Sequence, residues 1–325
     1  MLSRIARGLY DLGRNVERAQ NLMRILEVNH KMNLERAAGH ENDVWSAISE
    51  SFECGLDRPE ERSLYEVLVL SNSHPYSVRH CIANARDDGR AMREHISEEI
   101  WLHLNRTHLE LSTLSFDRIL SIGRSEFNRR IEVFADALHG LADDTMIRGE
   151  SWAFLGIGKL MERALMICRI LEIKRKSISP ESEGAPVDVH QWQTLLRCLS
   201  GYEPYRRAYD ARIAADRVLE FVLRRHDFPR SLTYTLAELR RLLALVSGSN
   251  PIQLQLDRRL DLVLEELRHL DAGSLILSGG FESELLLLNR RCMEISDAMD
   301  LAFFTSLRPA STPILAAPGA GLVTQ

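Results

Sequence analysis

The sequence has no excess of basic charge. Its 41 Lys and Arg stand against 46 Asp and Glu, a formal net charge of −5. That excludes the global electrostatic signature of a nucleic-acid binder, and no nucleic-acid partner is expected. Cysteine is sparse. Cys54, Cys81, Cys168, Cys198 and Cys292 are scattered, with no CxxC pair and no metal-ligand spacing. Four of the five stand in apolar helical surroundings, as reduced core thiols do. Long apolar runs are absent too. "RLLALV" and "ELLLLN" are far too short to cross a bilayer, and "MLSRIARGLYDLGR" has no apolar stretch of signal length. These absences predict a soluble, cytoplasmic protein with no membrane contact. GxSxG, P-loop, Rossmann and HExxH motifs are all missing, and no cofactor is expected. Only 10 prolines and 18 glycines occur in 325 residues, many of them between periodic segments, and the alternation of buried strands is scarce. The fold class is therefore read as all-α.

What is present supports a large core: 45% of residues are apolar. Leu9, Leu12, Val16, Ala19, Met23 and Leu26 recur at spacings of three and four, one apolar seam on a long helix starting after Ser3 and running past Val28. Further helices are predicted near Asp43–Phe52, Pro59–Leu70, Ser77–Glu94, Ser97–Leu111 and Phe116–His139. One more begins after "ADDT" and continues to about Lys174, followed by a loop, "SISPESEGAPVDV". Beyond it, helices are predicted near His190–Leu199, Arg212–Arg225, Ser231–Val246, Gln253–Leu270 and Glu282–Phe303. Residues 306–325, rich in Ala, Pro and Gly, read as a disordered tail.

The chain also repeats itself. Between Leu9–Val28 and Phe154–Ile173, eight of twenty positions are identical; chance would give about one or two. The matches include Gly13/Gly158, Glu17/Glu162 and Arg18/Arg163. "HPYSVRHCIANAR" is echoed by "FPRSLTYTLAELR", and "FNRRIEVFADA" by "LNRRCMEISDA". The offsets grow in order, 145, 154 and 161. Three collinear blocks of this kind suggest a tandem duplication. The expected organisation is helical repeats at 1–145 and 146–305, packed face to face with approximate two-fold symmetry.

The second copy carries its Glu-Arg pair on a helix that is apolar almost all round: Leu160, Met161, Ala164, Leu165, Ile167, Ile170 and Leu171. Such a helix is buried, so Lys159, Glu162, Arg163 and Arg169 lie in or beside the core and need partners. Two-fold packing offers them: Glu17 with Arg163, and Glu162 with Arg18. The pairs either fix the register of two long helices or line a cleft that binds a zwitterion, such as a peptide end or an amino acid. Tyr10, Arg14, Glu150 and Trp152, close in sequence to the two motifs, complete that candidate cleft.

Other constellations are weaker. Arg79, Arg86, Arg90 and Arg93 share one helix face, either solvated or a dock for phosphate or an acidic partner. Two ExxH pairs, Glu27–His30 and Glu266–His269, have the spacing used by di-metal bundles, but the repeat counterpart of His30 is Arg175, so no metal site is assigned. The glycines of "GLYDLGR" and "FLGIGK" fall inside helical patterns and suit close helix packing. Ser77 and Ser231 read as helix N-caps, not nucleophiles.

"MLSRIARGLYDLGRNVERAQNLMRIL", "HPYSVRHCIANAR", "ADDTMIRGESWAFLGIGKLMERA" and "LNRRCMEISDAMDLAFF" together resemble the bacterial alpha-E family, to about Phe304. The resemblance implies an all-helical fold with a conserved Glu, a description that Glu17, Glu162 and Glu150 match. It also implies a setting: a circularly permuted ATP-grasp ligase-like protein as partner, often with a transglutaminase-like protein, in a system that makes or modifies peptides. The expected function is a non-catalytic helical partner that helps hold a peptide or amino-acid substrate. The alternatives are an enzyme of amide chemistry using Glu17, Glu150 or Glu162 as general acid or base, and a carboxylate-bridged metal protein.

Overall fold

The computed structural model describes residues 1–34, 41–177, 186–209, 212–246 and 251–305. The expected tail and positions 178–185 of the expected loop lie outside the described residues. Every regular element among the described residues is helical. The first half holds α1 (Ser3–Leu34), α2 (Glu41–Ser51), α3 (Glu61–Leu68), α4 (Val78–Ala91), α5 (Glu98–Ser112), α6 (Phe116–Ile122) and α7 (Arg124–Thr145). The second holds α8 (Glu150–Lys176), α9 (Pro186–Cys198), α10 (Tyr202–Ala208), α11 (Ala215–Arg224), α12 (Leu232–Val246), α13 (Pro251–His269), α14 (Ala272–Leu277) and α15 (Phe281–Met299). A π-helical turn, Asp300–Phe304, follows α15.

All six seam residues of α1 are fully buried. The helix is 32 residues long, about 48 Å at 1.5 Å per residue. It packs along α8, most of whose residues are buried by α1, α2, α9, α12 and α15. The contact between α1 and α8 is set by two glycines. A methyl group on Gly13 would stand 2.1 Å from the carbonyl oxygen of Leu155, and one on Gly158 would stand 2.0 Å from that of Tyr10. The two backbones meet there with no room for a Cβ, and each helix gives one glycine to the other.

The neighbours of these two helices follow one order. α1 carries α4 and α7, α4 packs on α5, and α5 on α7. Likewise α8 carries α12 and α15, α12 packs on α13, and α13 on α15. A single apolar core runs through residues from both halves.

Three local features depart from expectation. The helix expected over Phe116–His139 is two, because Gly123 takes φ +95°, ends α6 and starts α7, which runs on through "ADDT" to Thr145. That conformation is open to glycine and strained for other residues. The short helices α10 and α14 are additional. Ser231 caps α12, its hydroxyl accepting from the Tyr234 N–H at 3.0 Å, whereas Ser77 occupies the N-cap position of α4 without a side-chain cap bond.

Candidate functional site

Helical spacing of three and four puts Arg14, Glu17, Arg18 and Asn21 on the face of α1 turned to α8. There the acids and bases of the two Glu-Arg motifs exchange partners. Arg163 donates to Glu17 through Nε and Nη2 at 2.8 and 3.0 Å. Arg18 donates to Glu162 through Nε and Nη2 at 2.6 and 2.8 Å. Both are bidentate, the strongest geometry available to this pair. The remaining Nη1 groups also follow one pattern: Arg18 donates to the Pro75 carbonyl at 3.2 Å and Arg163 to that of Pro229 at 3.3 Å.

Each carboxylate has a second cation. Arg14 donates to Glu162 at 2.9 Å. Arg230, just before α12, donates to Glu17 at 3.3 Å and to the Asn21 side-chain oxygen at 2.8 Å. Asn21 itself donates to Glu17 at 2.9 Å. Glu17 is 0% exposed and Glu162 1%. Burial pulls Glu162 up, but Arg18 and Arg14 outweigh it and hold the carboxyl at about 2. Glu17 is likewise held well below the usual carboxylate range by Arg163 and Arg230, against its burial. Burial lowers Arg230 to about 9, so it keeps its charge at neutral pH. His139 lies 3.6 Å from Glu17, and burial pushes it down to about 4, leaving it neutral.

The expected cleft residues do not share one cleft. Glu17 and Glu162 are sealed. Tyr10 is fully buried between Arg14 and Phe304, at 5.5 Å to the guanidinium and 5.2 Å to the ring. Glu150, at the start of α8, is 49% exposed, pairs with the Met1 amino group at 2.8 Å, and lies twelve residues or about 18 Å along the helix from Glu162. Trp152 does line a cavity, of about 290 Å³, on the Glu17 side of the pair, together with His139, Lys159, Arg163, Tyr234 and Glu238. Arg230, His139 and Tyr234 carried no signal in the sequence beyond Pro229, which the expected duplication sets opposite Pro75.

The arginines of α4 and of the turn after it do not form one docking face either. Arg79 turns inward and donates to the carbonyls of Leu70, Leu111 and Leu114, neutralising the C-terminal end of α5. Arg86 and Arg93 lie against Trp101, at 5.5 and 4.8 Å from its ring, and Arg90 is exposed. Arg169 is held over the rings of Phe52 and Tyr76, at 5.0 and 4.3 Å, and among the described residues pairs with no acid. The ExxH residues are engaged elsewhere: Glu27 with Ser125 and Lys31, His30 with Glu61, His269 with Glu265, and Glu266 with Arg291. Among the described residues, no group of three or more His, Cys, Asp and Glu is placed to hold a metal ion. None of their helices is long and apolar enough to cross a membrane.

An all-helical bundle centred on two long helices that exchange buried Glu-Arg pairs is the class of protein these features define. Over residues 1–304 the chain belongs to the Alpha-E family, described as a predicted alpha-helical domain with a conserved ER motif. Of the Glu-Arg dipeptides among the described residues, Glu17–Arg18 and Glu162–Arg163 lie at the α1–α8 contact, whereas Arg62 of Glu61–Arg62 is exposed. Uncharacterized proteins of Mycobacterium bovis and Mycobacterium tuberculosis are similar, at 26% identity over 192 residues, 56% of this chain and 21% of each relative. The chain thus spans about a fifth of the length of the curated relatives it matches. No solved structure matches it.

Proposed function

We propose that this chain is a non-catalytic helical subunit that works beside an ATP-grasp ligase-like protein in a peptide- or amide-forming system, its Glu-Arg cluster serving to lock the two halves together. The observation that carries the non-catalytic reading is the state of the two carboxylates. A general acid or base needs access to substrate and a proton affinity near the working pH. Glu162 is sealed, doubly paired with arginine and held at about 2. Glu17 is also sealed and doubly paired, and Arg163 and Arg230 hold it well below the usual carboxylate range. Strong bidentate pairing of this kind suits a lock. The share of the longer relatives that aligns fits a unit that acts beside other domains.

A tandem duplication is part of the proposal. Its support is the exchange of Gly13 with Gly158, of Glu17–Arg163 with Arg18–Glu162, and of Pro75 with Pro229.

The test is co-expression with a tagged circularly permuted ATP-grasp ligase-like protein, with a transglutaminase-like protein added in a second arm. Co-purification in a fixed ratio is expected, with ligase output that drops when this chain is omitted. No association, together with full ligase output in its absence, sinks the proposal.

A further inference from the structure

Beside the sealed cluster, one charge stands open. Lys159 follows Gly158 at the close approach of α8 to α1, as Arg14 follows Gly13 on the other helix. Arg14 is committed to Glu162 at 2.9 Å. Lys159 is half-buried, and among the described residues it makes no ion pair and donates no hydrogen bond. It lines the cavity of about 290 Å³ that Trp152 and Tyr234 also line.

The other charges of that cavity are taken. Asp143 accepts from Trp152 Nε1 at 3.0 Å and from Arg148 at 2.9 Å. Glu238 holds Arg241 at 2.6 to 3.0 Å. Arg163 spends Nε and Nη2 on Glu17 and Nη1 on Pro229. His139 is neutral. Apolar side chains, Leu155, Leu160 and Leu242, supply the rest of the wall. A part-buried cation that feels Glu17 and Asp143 only from beyond ion-pair distance is under-compensated unless a partner arrives from outside. Burial and the neighbouring Arg163 lower the Lys159 ammonium below its ordinary value despite Glu17 and Asp143, and an anion at the cavity would act against that lowering.

We infer that this cavity is a binding site for a carboxylate borne on an apolar or aromatic body, with Lys159 as its counter-ion and Trp152 and Tyr234 against its body. A few placed polar groups within apolar walls, at the small end of ligand-pocket volumes, is the usual build of a small-molecule site. The inference is independent of the ligase partnership, since it needs only this chain.

Isothermal titration of the full chain with N-acetyl-L-phenylalanine and with its amide tests the assignment. The acid is expected to bind about tenfold tighter or more, as loss of a charge-assisted hydrogen bond requires. Lys159→Met is expected to lose that preference while melting as the wild type does, and Lys159→Arg to keep it. A measurement on the unmutated chain stands beside these: acetylation of Lys159, followed by mass spectrometry, is slowed by the acid and not by the amide. A tetrapeptide ending in phenylalanine separates a peptide terminus, which binds it tighter, from a free small acid, which binds it no better. Equal binding of acid and amide, binding of neither at millimolar concentration, or an undiminished preference in Lys159→Met overturns the inference.

Discussion

At the scale of single residues, Glu162 and Glu17 are alike in burial and different in their surroundings. Glu162 faces two guanidiniums, Arg14 and Arg18. Glu17 faces Arg163 and Arg230 and has a neutral His139 at its side. Removing either acid leaves two largely buried arginines without a carboxylate. Glu162→Ala is expected to destabilise the protein by about 3–5 kcal/mol in denaturant unfolding. Glu150→Ala, at an exposed pair, should stay within about 0.5 kcal/mol of wild type. A Glu162→Ala variant that unfolds with the wild type would remove the lock.

The pH dependence separates two of these residues. His139 drops from its ordinary 6.5 to about 4 on burial. Between those values the unfolded chain binds a proton that the folded chain refuses, so stability falls as pH falls, by about 3 kcal/mol in all. Glu162 drops from 4.5 to about 2. Its contribution is full above pH 4.5 and is lost toward pH 2, again about 3 kcal/mol. Asp88 runs the other way, because burial raises it from 3.8 to about 7. Each step is therefore read as a difference between variant and wild type. His139→Gln should lose the step between pH 6.5 and 4 and keep the lower one; an unchanged upper step in that variant contradicts the assignment. The exchange of Glu-Arg partners was legible in the sequence, since a charged pair repeated on a helix apolar almost all round has few places to go. Arg230 and His139 were not, because their role depends on where a loop and the end of α7 meet α1.

At the scale of elements, the α1–α8 contact depends on two missing methyl groups. Gly13→Ala and Gly158→Ala each drive a Cβ into a backbone carbonyl, at 2.1 and 2.0 Å, where no side chain can yield. Alanine adds helix propensity worth about 1 kcal/mol, and overpacking against backbone exceeds that. Each variant is expected to lose about 3 kcal/mol or more, read as a lowered melting temperature. Gly140 supplies the control: it is exposed on α7 with nothing within 4 Å of an added methyl, so Gly140→Ala should gain about 1 kcal/mol. Stable Gly13→Ala and Gly158→Ala variants would mean that the helices do not touch there. The glycine role was readable because both lie inside strong helical periodicity. Gly123 was not read as a break, since the apolar pattern of α6 continues into α7 and only the backbone angle divides them. The helices α10 and α14, of seven and six residues, are too short for periodicity to register.

At the scale of the whole molecule, the buried helix belongs to neither half alone. α8 is wrapped by α1 and α2 from the first half and by α9, α12 and α15 from the second. α1 in turn is covered by α4 and α7 from its own half and by α8 and α9 from the other. Separating the chain after Thr145 would expose the α8-facing side of α1 and leave Arg14 and Arg18 without Glu162, and Glu17 without Arg163 and Arg230. An exposed apolar face and unpaired charges act in the same direction, so residues 1–145 and 146–305 are expected to be obligate partners despite their similar order of helices. Expressed singly, each fragment is expected to show no cooperative thermal transition. Co-expressed, they should form a one-to-one complex that melts cooperatively below the intact chain, because the covalent link no longer lowers the entropy of association. The melt of 1–145 alone is the decisive measurement. A cooperative transition near that of the intact chain would show that the first half is an autonomous domain, and that the Glu-Arg exchange joins two finished units instead of completing one.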